Sequence, residues 1–160
     1  MKKILSINIR KGECAMADIR DVAKWFLSKE SMTNLKLQKL CYYAQAWHLA
    51  LHGTPLVNTY FEAWVHGPVS PVLYQQYKQW GWYNISRYYG YINLTFEQIN
   101  FLEKIYSRYG NYTGEQLEQL SHQESPWKNA RAGRNVRDYC MTDINPEDMK
   151  NYYKRQLNGG

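Results

Sequence analysis

The chain has 160 residues, the span of one ordinary domain. Its 20 Lys+Arg against 14 Asp+Glu give a formal net charge of +6, and its rings are dense, with 15 Tyr, 6 Trp and 4 Phe. With 44% hydrophobic residues it can bury a core, which excludes disordered, collagen-like and low-complexity classes.

The first residues read as separate from the rest. Residues 1–15 carry Lys2, Lys3, Arg10 and Lys11 against Glu13. Their apolar part is short, is interrupted by Ser6 and Asn8, and closes at Arg10-Lys11, so it does not make a secretory signal. Met16-Ala17-Asp18 looks like an ordinary domain start, and Lys11-Gly12-Glu13 can be encoded by a purine run resembling a bacterial ribosome-binding site. Residues 1–15 are therefore expected to be a non-native or disordered extension, and 16–157 to form the domain.

Asp18 caps a first helix with Ile19, Val22, Phe26 and Leu27 on one face, fading near Ser28–Ser31. Thr33 caps a second, from Asn34 to His52, which Gly53 closes. Its main stripe is Leu37, Leu40, Cys41, Ala44, Trp47, His48 and Leu51, and a second stripe runs Gln38, Tyr42, Gln45, Leu49. A helix dressed on two sides is expected to be central.

Pro55 breaks helix, and Tyr60 to Val65 reads as extended. Gly67-Pro68 turns the chain, and Ser70-Pro71 starts a third helix that runs to about Trp80 and stops at Gly81. Trp82 to Leu94 is ring-rich, as a loop or a hairpin. Capping boxes at Thr95–Gln98 and Thr113–Gln116 start helices that end near Tyr109 and His122. Ser125-Pro126 opens a brief helical turn, and Asn145-Pro146 starts the last helix, through Leu157. The expected fold is mostly α: a single compact helical domain of six to seven helices with a small extended or β element near 58–66 and a further one at 82–93.

No run approaches the ~18–20 apolar residues of a membrane span. Cys14, Cys41 and Cys140 are an odd number without CxxC spacing, which suits a reducing compartment, so a cytoplasmic location is expected. The glycosylation sequons at Asn84, Asn93 and Asn111 are then chance matches.

Catalytic motifs are sparse. Neither a GxSxG elbow, a GxGxxG loop, a Walker sequence nor an HExxH is present. His48 and His52 stand one turn apart with Cys41 on nearly the same face, a spacing able to hold zinc. The face is otherwise Leu, Ala and Trp, and a core edge is the better reading. Glu62 is a lone acid in an apolar stretch, read as capping the following turn or pairing with Lys39 rather than as a catalyst. The expectation is a non-enzyme with no metal, no cofactor and no small-molecule substrate.

The charge is uneven. Nine bases balance nine acids over residues 16–125, so only the two ends are basic. Lys128, Arg131, Arg134 and Arg137 recur every three residues and are the candidate nucleic-acid contacts, although Gly133 argues against a continuous helix there. Rings at Trp82, Tyr83, Tyr88 and Tyr89 can stack bases or anchor a protein interface. A neutral body favours the protein partner.

Several blocks resemble one known family. Leu37-Gln38-Lys39-Leu40-Cys41-Tyr42-Tyr43-Ala44-Gln45-Ala46-Trp47-His48 is similar to the signature helix of the Panacea domain family, the SocA-like antitoxins. Gly53-Thr54-Pro55-Leu56 resembles its next turn. Glu62-Ala63-Trp64-Val65-His66-Gly67-Pro68-Val69-Ser70-Pro71-Val72-Leu73-Tyr74 resembles its second block. Leu120-Ser121-His122-Gln123-Glu124-Ser125-Pro126-Trp127 resembles a later one, and Met149 to Tyr153 the closing helix. The rings of 82–93 have no counterpart in that pattern.

The resemblance implies a bacterial or phage-borne antitoxin that neutralises a cognate toxin by direct binding, in a toxin–antitoxin or phage defence and counter-defence setting. It also implies a link to targeted proteolysis, through an adaptor role. It brings no catalytic residue and no cofactor. Trp47, Trp64 and Trp127 are expected to knit the helices together. Gln38, Lys39, Tyr42 and Gln45 either order the Glu62–Pro71 turn or meet the partner, with more weight on the turn.

Overall fold

The computed structural model describes residues 15–159. The reading of residues 1–15 as an extension falls, Ala15 apart, outside the described residues.

Local chemistry sets each helix start. Asp18 accepts from the Arg20 backbone N–H to open α1 (Ile19–Lys29). Thr33 accepts from Lys36 N–H at 3.2 Å to open α2 (Asn34–His52). Each cap satisfies one of the donors that a helix start leaves without an internal partner. Gly53 ends α2 in the left-handed region at φ 70°, which glycine adopts without Cβ strain.

Ser70 and Pro71 open α3 (Pro71–Tyr77), and the last turn tightens to a 3₁₀ turn over Lys78–Trp80 before Gly81. Both capping boxes are formed, at the heads of α4 (Phe96–Tyr109) and α5 (Gly114–His122). Two further helices follow, α6 (Ser125–Arg131) and α7 (Pro146–Leu157).

The strands are short. Here β1 (Met32–Thr33) pairs antiparallel with β4 (Asn84–Ile85), Met32 facing Ile85. A hairpin joins β2 (Glu62–Trp64) to β3 (Gly67–Val69), with Glu62 opposite Val69. The 142–144 segment lies along the hairpin's other side, through Ala63 N–H to Thr142 O at 2.9 Å and Ile144 N–H to Phe61 O at 2.8 Å. The 82–94 stretch is thus not a hairpin. Its one short strand is used up by β1, and the rest is irregular.

Helix α2 is the hub. Every residue from Leu37 to Trp47 is buried, polar ones included, because α1, α4, α5, α7 and the β2–β3 hairpin pack around it. That is the two-sided helix its stripes foretold. Tyr43 stacks on Tyr109 with ring centroids 4.2 Å apart, and Tyr42 meets Phe61 and Tyr153 edge to face. Among the described residues no helix is long and apolar enough to cross a membrane.

Candidate functional site

The polar flank of α2 points inward and holds two loops by their backbones. Gln38 binds Ser70 at both ends of its amide: Ser70 N–H donates to Oε1 at 2.9 Å, and Nε2 donates to Ser70 O at 3.1 Å. Two turns on, Gln45 Oε1 accepts from Leu56 N–H at 2.9 Å and Val57 N–H at 3.0 Å, while Nε2 donates to Val57 O at 3.3 Å. A glutamine suits this task because one planar group both donates and accepts.

Lys39 lies between them, with 0% exposure. Its Nζ donates to Pro68 O at 3.1 Å. Burial pulls its pKa down to about 7, against a smaller opposing pull from Glu118. Gly67 makes room for this lysine. It sits at φ 100°, and a Cβ there would stand 2.5 Å from Lys39 Cε and 2.8 Å from Ser121 Oγ. The Gln38 and Lys39 bonds reach the Glu62–Pro71 turn, whereas Gln45 holds the 56–57 segment instead. Tyr42 is buried as well, so none of Gln38, Lys39, Tyr42 and Gln45 lies on the open surface.

Glu62 does not pair with Lys39. Its Oε2 accepts from the Trp64 indole N–H at 2.6 Å. The buried lysine is satisfied by a carbonyl instead, and the carboxylate turns to its neighbour on the hairpin. Trp127 donates to Trp64 O at 2.9 Å and stacks on His122, which ties α6 to β2. Trp47 donates to Tyr109 Oη at 2.6 Å and ties α2 to α4.

A second buried polar cluster had no flag in the sequence. Glu124 Oε1 accepts from Tyr43 Oη at 2.6 Å and from Tyr153 Oη at 2.9 Å, joining α2, α7 and the α5–α6 corner. Glu124 is also the N-cap residue of α6, yet it makes no side-chain cap bond. Its carboxyl is turned inward, and burial raises its pKa to about 7 against the two tyrosine hydrogen bonds that lower it.

Between the start of α2, the hairpin and the end of α3 lies a groove of about 250 Å³. Its walls include Trp64, Tyr74 and Trp82, Lys39 and Asn34 form part of its lining, and Lys78 stands at its edge. Sequence patterning had singled out Lys39, Trp64 and Trp82. It did not single out Tyr74 and Lys78, one turn apart on α3 and its terminal turn, or Asn34 at the start of α2.

The candidate rings divide. Trp82, Tyr83 and Tyr89 are 69%, 83% and 82% exposed. Tyr88 is half-buried, its backbone N–H bound to Leu27 O at 3.0 Å and its hydroxyl donating to Tyr91 O at 2.9 Å. The basic set divides too. Lys128, Arg134 and Arg137 are exposed, but Arg131 is 1% exposed. Its guanidinium donates to Ala63 O at 2.8 Å and to the carbonyls of Asn135, Val136 and Asp138, and lies over the Trp127 ring. Arg131 is a buried clamp on the 135–138 loop and is out of reach of a phosphate.

His48 and His52 lie against each other and against Phe101, and His48 Nδ1 is bonded to Thr54 O at 2.5 Å. Cys41 is buried, and burial pushes its thiol pKa up. Among the described residues no three His, Cys, Asp or Glu side chains are grouped to hold a metal ion.

The domain is thus a helical scaffold whose polar motif residues are spent on holding its own loops. The sequence pattern of one family, "Antitoxin SocA-like, Panacea domain", matches residues 37–128, and the chain belongs to that family. The chain is similar to Antitoxin SocA of Caulobacter vibrioides (strain NA1000 / CB15N), with 48% identity over 63 residues, 36% of this chain and 34% of that protein. The match therefore spans about a third of the relative's length. No solved structure matches the chain.

Proposed function

We propose that this chain is a non-enzymatic antitoxin that neutralises a protein toxin by direct binding in the bacterial cytoplasm. The observation that carries the reading is the exposure of Trp82, Tyr83 and Tyr89 on a domain of an antitoxin family. Large rings left in water are costly for a lone domain and are the preferred anchors of protein interfaces. They lie outside the motif blocks, and in this reading they choose the partner while the motif residues keep the scaffold.

Co-expression with the product of the adjacent gene tests this. The expected result is rescue of growth and co-purification of the pair, both lost in a Trp82→Ala/Tyr89→Ala variant that stays folded. Absence of both rescue and co-purification with the unaltered chain overturns the reading. The nucleic-acid alternative is weakened by Arg131, which leaves Lys128, Arg134 and Arg137 as its footing. Duplex DNA binding that falls steeply with salt would restore it.

A further inference from the structure

We infer that the groove between α2, the β2–β3 hairpin and the α3 terminus takes a single tryptophan side chain of the protein partner, presented on an acidic segment. Four observations bear on it. The groove holds about 250 Å³, below the roughly 300 Å³ where pockets for drug-sized ligands begin, and of a size for one large side chain. Its walls include three rings, Trp64, Tyr74 and Trp82, with Trp64 and Tyr74 already edge to face at 5.0 Å. Trp82 meets His66 edge to face at 5.4 Å, and 69% of it faces water.

The floor holds an unmet demand. Asn34 is 8% exposed, lines the groove, and its Oδ1 makes no hydrogen bond. A buried acceptor left alone costs roughly 1–3 kcal/mol, which an incoming N–H donor would recover. An indole supplies that N–H on the edge of a ring that the three walls can pack, and a phenyl ring does not.

The sign of the flanking charge follows from the lining. Lys78 is its exposed cation; Lys39 Nζ is buried on Pro68 O, His66 is held by Glu118, and no carboxylate is part of the lining. Lys78 is exposed and, among the described residues, in no ion pair. The nearby acids are engaged, Glu62 with Trp64 Nε1 and Glu118 with His66 Nδ1 at 2.7 Å. An aromatic cage normally suits a cation, but the unpaired Lys78 opposes one here, so acidic neighbours of the anchor are favoured.

The antitoxin reading supplies the kind of partner, whereas the groove can be tested without the toxin. The probe is the synthetic peptide acetyl-Glu-Asp-Trp-Glu-Asp-amide, titrated to about 1 mM into the full chain and followed by NMR at the Trp82 indole and the Asn34 side-chain amide. Saturable shifts at both are expected, and the affinity read at the Asn34 amide falls roughly thirtyfold in Trp82→Ala and roughly tenfold in Lys78→Glu. The same peptide with Ala for Trp should not shift them. Three results overturn the proposal: no shifts, equal affinity in the two variants, or equal or tighter binding of a peptide with Lys in place of the acids. Failure here with growth rescue intact removes the groove and leaves the antitoxin. Peptide binding without rescue does the reverse.

Discussion

The flank of α2 and the 82–91 segment are both rich in polar and ring side chains, and they use them in opposite ways. On α2, Gln38, Lys39, Tyr42 and Gln45 are buried and spend their polar atoms on the protein's own loops. In 82–91, Trp82, Tyr83 and Tyr89 stand in water. The difference shows that motif residues can identify a fold by what they hold inside, while other rings of the same domain are left in water.

The contrast can be broken most severely at Gly67. In Gly67→Ala the new Cβ must displace Lys39 or Ser121 at a φ of 100°, so a loss of about 3 kcal/mol or more, or failure to fold, is expected in urea unfolding. A loss below about 1 kcal/mol would show that Lys39 is not confined there.

Two of the buried ionisable groups, Glu124 and Lys39, give the interior a pH signature. Glu124 has a folded pKa raised from 4.5 to about 7, so its contribution is full below the unfolded pKa and is lost as pH rises through 7. Lys39 has a folded pKa lowered from 10.5 to about 7, so the unfolded chain binds the extra proton and stability returns between about 7 and 10.5. Together they place a shallow minimum near neutrality, on the order of a few kcal/mol deep. Glu124→Gln should flatten the acid limb of unfolding free energy against pH, and Lys39→Met the alkaline limb. Parallel curves for variant and parent would remove either group from the account.

Gln45→Ala leaves the Leu56 and Val57 N–H groups without their acceptor, and should lose about 1–3 kcal/mol. The smallest effect is expected in the loop. Tyr83→Ala and Tyr89→Ala should shift stability by no more than about 0.5 kcal/mol in thermal melts while weakening the partner complex. If instead they unfold the domain, the two regions are not different in kind.

Most of the fold was legible because its punctuation is local. Thr33, Ser70, Thr95, Thr113 and Asn145 all cap the helices their spacing indicated, and Gly53 and Gly81 follow helix ends. What escaped is long-range. The pairing of Met32 with Ile85 joins residues with no shared periodicity, so the 82–94 stretch could not be told from a hairpin. Arg131 read as one of a basic series because burial by the 135–138 loop leaves no trace in spacing. Glu124 read as part of a motif, but its inward turn toward Tyr43 and Tyr153 depends on α2 and α7 meeting there. Asn34 looked like an ordinary first residue of a helix.

The ring loop is tied down at several points along its length. Ile85 pairs with β1, Ser31 Oγ donates to Ile85 O at 2.6 Å, Arg87 Nε donates to Ser28 O at 2.9 Å, and Tyr88 N–H reaches Leu27 O at 3.0 Å. The exposed rings Trp82, Tyr83 and Tyr89 flank those ties, while Tyr88 packs against the core. Such a segment resembles an antibody loop on its sandwich: its backbone freedom is already spent in the unbound protein, and Tyr and Trp have few rotatable bonds left to freeze. Different rings can then be carried on the same ties without refolding what supports them.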